Sequence, residues 1–248
     1  MLQKMLTTTM ITLLAATMSF AQGPPVPAGE GAFMTVTVQT DDVKAYRDFL
    51  KANPKAYEAT GADAGGICII KSGQRFPGEA FVWAAYPSLE KALATIETLE
   101  HGAATPKIKK LRTIKYIAAW KPLIPFTLAP GFERVQRVKI APENVNAYRE
   151  GIAKLEADIN KGGHPDYEMG MFQAIGGGPE EAGIFMIRGI SPTGAAYGKL
   201  ADEYYLGAPW AASNFQSVGG GEQPKMEAMV QDTVNDSIEV CEQLYTKG

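Results

Sequence analysis

The chain contains little histidine and little cysteine. Only 2 histidines and 2 cysteines occur among its 248 residues. These residue types supply most zinc and transition-metal ligands, and no HxH, HExxH or CxxC spacing is present. A GxSxG turn and a credible serine–histidine–aspartate grouping are also absent from the sequence. These absences argue against a metal site, thioredoxin-type chemistry and serine hydrolysis, and we expect no metal and no cofactor.

Charge is low and evenly spread. The chain carries 24 basic and 27 acidic residues, a formal net charge of −3, and no block of like charge. Nucleic-acid binding requires a basic footprint that neutralises phosphates. We therefore expect no nucleic-acid partner.

One long apolar run lies at the N-terminus. Lys4 precedes a largely apolar stretch, Met5 to Phe20, and Ser19-Phe20-Ala21 places small residues where a signal peptidase reads. A membrane anchor is the alternative, but the run is shorter than the roughly 20 apolar residues that a span needs. We predict a signal peptide over 1–21, a periplasmic or secreted protein, and no integral membrane segment after cleavage.

A repeat organises the remaining chain. Val43-Lys-Ala-Tyr-Arg47 and Val145-Asn-Ala-Tyr-Arg149 are nearly identical, and each follows a β-rich run and opens a helical pattern. Alternating β-branched residues predict the preceding strands at Phe33–Gln39 and Val135–Ile140. A repeat of this kind indicates two copies of one supersecondary unit.

The other predicted elements follow the same order in both copies. Glycine and proline clusters separate them, as is typical of turns and linkers. The predicted strands are Ile67–Ile70, Ala80–Tyr86 and Lys115–Trp120 in the first copy, and Tyr167–Ile175, Ile184–Ile190 and Ile238–Leu244 in the second. The order β-α-β-β-α-β is that of the ferredoxin-like unit. The predicted boundaries are a proline-rich segment at 22–31, module 1 at 32–121, a linker at 122–131, and module 2 at 132–248.

This duplicated order resembles the dimeric α/β-barrel superfamily, which includes antibiotic-biosynthesis monooxygenase-like and NIPSNAP-like domains. The resemblance rests on the element order, the paired helix openings, and a short helix before each last strand, at Pro106–Leu111 and Pro224–Met229. It implies an α+β protein in which two tandem ferredoxin-like modules form an intramolecular barrel, a monomeric pseudo-dimer. Higher oligomers stay open, and such a fold hosts many chemistries.

The resemblance also implies a cavity inside the barrel. Strand alternation places Thr35 and Thr37 on the inner face, and their counterparts in the second copy are Arg137 and Lys139. Arg188, on a later strand, is a further candidate for that face. Cations here suit a carboxylate-bearing ligand because guanidinium groups match carboxylates.

Two alternatives accompany this hypothesis. The cations can instead pair inside the protein, with Glu168 or Glu239. Aromatic residues on the later strands of the first copy can serve as core or as the lining of an apolar ligand pocket. These aromatic candidates are Trp83, Tyr86, Tyr116 and Trp120.

The second copy carries an insertion near 206–224. It contains glycines, including Gly219-Gly-Gly221, and the aromatic residues Trp210 and Phe215. Loops of this length are often lids or disordered, and the sequence does not separate the two. Trp210 is a further candidate for ligand contact.

The resemblance places the two cysteines on strands whose edges meet. Cys68 lies on the second strand of the first copy and Cys241 on the last strand of the second. In such a barrel a disulfide between them would join the two copies. Two separate buried thiols are the alternative.

Three functions remain open from the sequence. The first is an exported protein that binds a small organic ligand inside the barrel, with an anionic ligand as one candidate. The second is a cofactor-independent monooxygenase or isomerase using Tyr86, Tyr116, Trp120 or His164. The third is a structural or self-assembling protein. A haem enzyme of the superfamily would need a proximal histidine, and His101 and His164 are the only histidines available.

Overall fold

A computed structural model describes residues 29–99, 105–214 and 226–248, with the side chains of 212–214 left undescribed. Within these ranges, eight antiparallel strands close into one barrel with the order β1-β3-β2-β8-β5-β7-β6-β4. The strands are β1 Ala32–Gln39, β2 Ala64–Ser72, β3 Glu79–Tyr86, β4 Thr113–Pro122, β5 Phe132–Ile140, β6 Glu168–Gly176, β7 Phe185–Ser191 and β8 Val230–Thr246.

Helices pack on the outside of this barrel. They are α1 Val43–Lys51, α2 Lys55–Glu58, α3 Leu89–Thr98, α4 Pro106–Leu111, α5 Val145–Lys161, α6 Gly194–Tyr205 and α7 Met226–Met229. Short 3₁₀ turns lie at Pro142–Asn144, Gly178–Glu180 and Pro209–Asn214. No helix in the described ranges is long and apolar enough to cross a bilayer.

Corresponding strands of the two halves occupy corresponding places. The first half runs β4-β1-β3-β2 around the barrel, and the second half runs β8-β5-β7-β6. The halves join through β2 with β8 and through β4 with β6. Closure of this kind leaves no sheet edge unpaired.

Three of the helices begin at a capping side chain. The Asp42 carboxylate accepts a hydrogen bond from the N–H of Ala45 at 2.8 Å, and Ser88 and Thr193 cap α3 and α6 in the same way. Each such cap stabilises its helix by about 1 kcal/mol. Helices α1, α3 and α6 therefore begin at Val43, Leu89 and Gly194, each directly after its capping residue.

Strand alternation separates the barrel interior from the helix-covered face. Val36 and Val38 of β1 pack against Tyr46 and Leu50 of α1 on the outside. The neighbouring Thr35 lines the interior. The predicted inward and outward faces of β1 are thus confirmed.

The last strand is longer than the sequence indicates. The prediction covers Ile238–Leu244, whereas β8 begins at Val230. Its first half carries Asp232, Asn235 and Asp236 and lacks an apolar alternation, so its strand character comes from pairing with β5 rather than from hydrophobic pattern. Helix α2 was also not predicted.

Some predictions fall outside the described residues. These are the signal peptide at 1–21, most of the 22–31 segment, His101, and the 215–224 part of the inserted loop. Of the predicted helix Pro224–Met229, the described part forms α7.

Candidate functional site

The linker between the halves covers one mouth of the barrel. Phe126, Leu128 and Pro130 are alternate linker residues that line the interior cavity. The Phe126 ring contacts the Phe33 and Phe172 rings edge-on, with centroids 5.9 and 5.0 Å apart. This cluster of phenylalanines closes the mouth with apolar surface.

Beneath the linker lies a small cavity of about 50 Å³. Trp83, Trp120 and Phe81 form much of its wall, and the Trp120 indole N–H donates to Thr35 Oγ1 at 2.8 Å. A water molecule needs roughly 10–15 Å³ of such space, whereas ligand pockets measure about 300–1,000 Å³. The barrel interior is therefore nearly filled by side chains.

A buried ionic cluster forms the polar wall of this cavity. The Arg188 Nη2 atom lies 2.5 Å from Glu133 Oε2 and 2.9 Å from Glu239 Oε2, and the three side chains are at most 8% exposed. Burial raises the pKa of Glu133 and the charge of Glu239 adds to this, while Arg188 opposes it. Arg188 therefore serves as an internal counter-ion for two carboxylates.

A disulfide lies beside this cluster. Cys68 and Cys241 face each other directly in the β2–β8 pairing and are bonded, with their Cα atoms 4.0 Å apart. Arg188 Nη2 lies 3.4 Å from Cys241 Sγ and 3.8 Å from Cys68 Sγ. The bridge connects the two halves across 173 positions of sequence, and both sulfurs border the cavity.

A second charged cluster fills the opposite end of the barrel. Glu181, from the loop between β6 and β7, is buried and accepts from Arg137 Nε at 3.2 Å and from the Tyr116 hydroxyl at 2.5 Å. Arg75 Nη2 in turn lies 2.6 Å from the Tyr116 oxygen and 2.5 Å from a Glu79 carboxylate oxygen. The charged side chains at this end of the barrel are therefore already paired with one another.

A much larger cavity, about 990 Å³, lies outside the barrel. It lies between the outer face of the second half's strands and helices α5 and α6, whose side chains also pack together in a buried core, and we call it the outer cavity. Aliphatic residues such as Ile152 and Leu200 line it together with a set of aromatic side chains. The aromatic residues are Tyr148, Tyr167, Tyr197, Tyr204, Tyr205 and Trp210.

Trp210 forms one end of the wall of the outer cavity, and contacts with neighbouring side chains hold this end in place. His164 Nε2 lies 2.7 Å from Glu203 Oε2, and this contact lowers the pKa of Glu203. The His164 and Tyr204 rings both lie 6.2 Å from the Trp210 ring. Trp210, the candidate for ligand contact in the predicted insertion, is buried.

The other rim of the outer cavity is polar. Arg134 binds Asp236 through two hydrogen bonds, of 2.9 and 2.5 Å, and Gln136 donates to the same carboxylate at 3.1 Å. Arg134 lowers the pKa of Asp236 through this contact. The only arginine bordering the described part of the cavity is therefore already paired.

The structure distributes the predicted site residues over several places. Trp83, Trp120 and Arg188 border the barrel cavity, and Trp210 borders the outer cavity. Tyr116 and Arg137 lie together in the charged cluster at the far end of the barrel. The remaining two lie apart from either cavity: Tyr86 packs on the outer face in a cluster with Ala92 of α3, and Lys139 is half-exposed, 4.0 Å from Asp232.

Sequence reasoning named Glu239 as an internal partner but missed two other acidic partners, Glu133 and Glu181. Glu133 stands on the same strand face as Val135 and Arg137, but the predicted strand began at Val135 and so excluded it. Glu181 lies in a loop, where no periodicity indicates burial. The tyrosines of the outer cavity lie on α5, α6 and the start of β6, where the apolar pattern indicated only core.

Comparison with solved structures identifies the architecture. A putative monooxygenase from Lactobacillus acidophilus NCFM aligns with TM-score 0.55 at 12% identity, covering 88% of this chain and 98% of that one. A putative monooxygenase from Fusobacterium nucleatum subsp. nucleatum aligns with TM-score 0.53 at 9% identity, covering 89% and 96%. The chain has the dimeric α/β-barrel fold.

An anthrone oxidase-like protein aligns less closely, with TM-score 0.48 at 11% identity over 90% of this chain and 98% of that one. No protein-family model and no curated protein matches the chain. At these identities the likeness concerns the dimeric α/β-barrel fold alone. The fold is compatible both with ligand binding and with enzymatic activity.

Proposed function

We propose that this dimeric α/β-barrel protein is exported and binds a small, uncharged, largely apolar organic molecule in the outer cavity. The observation that carries the proposal is the cavity's size together with its lining. Its volume of about 990 Å³ lies at the upper end of the range of about 300–1,000 Å³ for ligand sites. Aromatic side chains border it, among them the partly exposed Tyr197 and Tyr204, whose rings offer faces on which a flat apolar molecule packs.

The polar groups of the cavity favour a neutral ligand. Arg134 is paired with Asp236, and Glu227 and Asp232 are acidic residues on the same rim. Burial raises the pKa of Tyr148 to about 12, so its hydroxyl is a neutral hydrogen-bond donor at physiological pH. A planar molecule with one hydrogen-bonding group at its edge fits this arrangement.

The barrel interior is a less suitable ligand site than the outer cavity. The inner arginines that suggested an anionic ligand pair with Glu181 and with Glu133 and Glu239. The sequence-based alternative of internal pairing named Glu239, which does bind Arg188. A cavity of about 50 Å³ leaves room for only a few atoms unless side chains move.

The alternative of a cofactor-independent monooxygenase or isomerase finds less support. Tyr86 lies under α3, Tyr116 at the far end of the barrel, Trp120 at the barrel cavity, and His164 beside Glu203. A catalytic site would require such groups to meet around one substrate. The corresponding strand order of the two halves supports a further proposal, that the chain consists of two tandem ferredoxin-like modules.

The three tryptophans of the chain allow a direct test. A Trp83→Phe/Trp120→Phe variant keeps only Trp210, at the outer cavity, and Trp210→Phe keeps only the barrel pair. We expect a neutral naphthylamine fluorophore to quench Trp210 emission and leave the barrel pair unchanged. Quenching of the barrel pair alone, or no binding of neutral aromatic probes, would contradict the proposal.

A matched pair of substitutions locates the binding further. Ala201→Phe places a ring in the outer cavity from α6, and Ala94→Phe adds the same ring on the exposed face of α3. We expect the first to weaken fluorophore binding at least tenfold and the second to leave it unchanged. Equal affinities would place the probe elsewhere.

Export is tested separately, by expressing the full chain in a bacterium and fractionating the cells. We expect the extracytoplasmic fraction to contain a chain whose first residue is Gln22. An uncleaved chain that begins at Met1 and stays in the cytoplasm would overturn this part of the proposal.

A further inference from the structure

The disulfide borders open space in the barrel interior. Cys68 and Cys241 are 2% and 6% exposed, yet both form part of the wall of the barrel cavity. Glu133 and Arg188 belong to the same wall. An electrophilic S–S bond, a carboxylate and a guanidinium therefore meet at one cavity, on the opposite face of the strands from the outer cavity.

The charged groups match the needs of thiol–disulfide exchange. Exchange requires loss of the proton from the attacking thiol and stabilisation of the leaving thiolate. Glu133 can accept a proton from a thiol inside the cavity. Arg188 is permanently charged, and its Nη2 atom lies 3.4 Å from Cys241 Sγ, where it can donate to a departing thiolate.

Glu239 also faces this space, and its charge disfavours a thiolate. It already accepts from Arg188 at 2.9 Å and from the Ser237 hydroxyl at 3.1 Å. A Glu239 carboxylate oxygen lies within 4.8 Å of both sulfurs, whereas the positively charged Arg188 Nη2 is nearer to Cys241 Sγ, at 3.4 Å. The cluster therefore still supports charge at this sulfur.

We propose that the barrel cavity is a site of thiol–disulfide exchange for very small neutral thiols, with hydrogen sulfide the best fitted. The cavity of about 50 Å³ has room for a few non-hydrogen atoms. Its apolar walls favour the neutral form of the thiol on entry. A tripeptide thiol such as glutathione exceeds this space.

The reaction balances without a further reagent. The entering thiol gives its proton to Glu133, its sulfur bonds to Cys68 Sγ, and the S–S electron pair leaves with Cys241 as a thiolate beside Arg188. The product is a mixed disulfide, or a persulfide when the thiol is hydrogen sulfide. A second thiol attacks it, so two thiols become one small disulfide, and the protein disulfide becomes two thiols.

Size selectivity in the folded protein tests the proposal. The protein is incubated with sulfide, 2-mercaptoethanol or glutathione at matched thiolate concentrations, then quenched by alkylation and weighed by intact mass spectrometry. For each small thiol we compare its rate of reaction with that of glutathione. We expect this rate ratio to be at least tenfold larger in the folded protein than in the urea-unfolded protein. The same selectivity in folded and unfolded protein would overturn the proposal, because reaction would then require unfolding.

Variants of the charged wall separate chemistry from stability. We expect Glu133→Gln to slow exchange with the small thiols at least tenfold, and Arg188→Lys to retain more of the rate than Arg188→Met. Variants that merely unfold would gain rate with all thiols and lose size selectivity. Arg47→Met, on the surface of α1, is the control and keeps both rate and selectivity. Glu133→Gln with unchanged rate and selectivity would contradict the mechanism.

Discussion

Arg188 Nη2 lies 2.9 Å from Glu239 Oε2, and both side chains are almost excluded from solvent. The two residues stand on different strands, β7 and β8, which are not neighbours in the barrel. Their contact therefore crosses the barrel interior rather than one pair of hydrogen-bonded strands. Glu133, on the strand between them, completes the cluster.

Removal of Arg188 should destabilise the protein strongly. Arg188→Met leaves Glu133 and Glu239 buried without their counter-ion, and breaking such a buried pair costs about 3–5 kcal/mol. Urea unfolding followed by far-UV circular dichroism measures the change. Lys44→Met is the control, because Lys44 is 79% exposed and its pair with Asp48 is screened by solvent, so that its loss should change stability little. Equal losses in the two variants would show that the buried cluster contributes little.

Loss of the disulfide should lower stability without changing the fold. The loop of 173 positions predicts up to about 5 kcal/mol by chain entropy, within a typical measured range of about 2–5 kcal/mol. We expect a dithiol reductant to lower the melting temperature of the native protein. Cys68→Ala/Cys241→Ala should melt at a low temperature that the reductant does not alter. A melting temperature that is the same for native and double variant would contradict the prediction.

Acid should remove the contribution of the Arg134–Asp236 pair. Because Arg134 lowers the pKa of Asp236, the pair stabilises the folded state above the unfolded-state value of about 3.9 and loses this effect as pH falls through the lower folded value. Asp236→Asn should therefore be less stable than the native protein at pH 6, and the difference should shrink below about pH 4. Arg134→Met should abolish that pH dependence. Urea unfolding across this pH range provides the measurement, and a constant difference would contradict the prediction.

Gly66 should not tolerate a side chain. A Cβ there would lie 2.0 Å from the backbone oxygen of Glu242 and 2.6 Å from the Trp83 ring. The backbone oxygen belongs to the paired strand β8 and cannot move freely, so Gly66→Ala should cost about 1–3 kcal/mol or more. Gly198→Ala is the matched control, since nothing lies within 4 Å of its Cβ and it sits inside α6, where alanine gains about 0.5–1 kcal/mol. Thermal unfolding of both variants measures these two changes in stability.

Most of the barrel was predictable because its strands carry alternating patterns and its helices carry caps. The repeated helix openings at Val43 and Val145 both begin helices on the outside of the barrel. The first half of β8 escaped prediction because its polar residues are held by pairing with β5. An apolar alternation in the sequence indicates that one face of a strand is buried. A strand that is stabilised mainly by pairing with its neighbours shows little of this alternation.

The candidate site was less predictable than the fold. Strand alternation placed Arg137 on the inner face, but its partner Glu181 comes from a loop without periodicity. Tyr86 and Trp120 end two predicted strands that are consecutive in the sequence. Tyr86 packs under α3, whereas Trp120 borders the barrel cavity. Aromatic composition alone does not say which face of a strand a residue occupies, and β3 pairs without a bulge, so that Tyr86, three residues after Trp83, lies on the opposite face.

The sequence by itself determined the order of the elements, the caps of α1, α3 and α6, and the inner face of β1, because each depends on residues a few positions apart. Only the tertiary structure decided which charges are free and which are paired. Arg188 meets Glu133, Glu239 and the Cys68–Cys241 disulfide because the barrel closes through β2 and β8. Closure joins residues far apart in sequence, and the volumes left between them follow from packing, which no local pattern encodes.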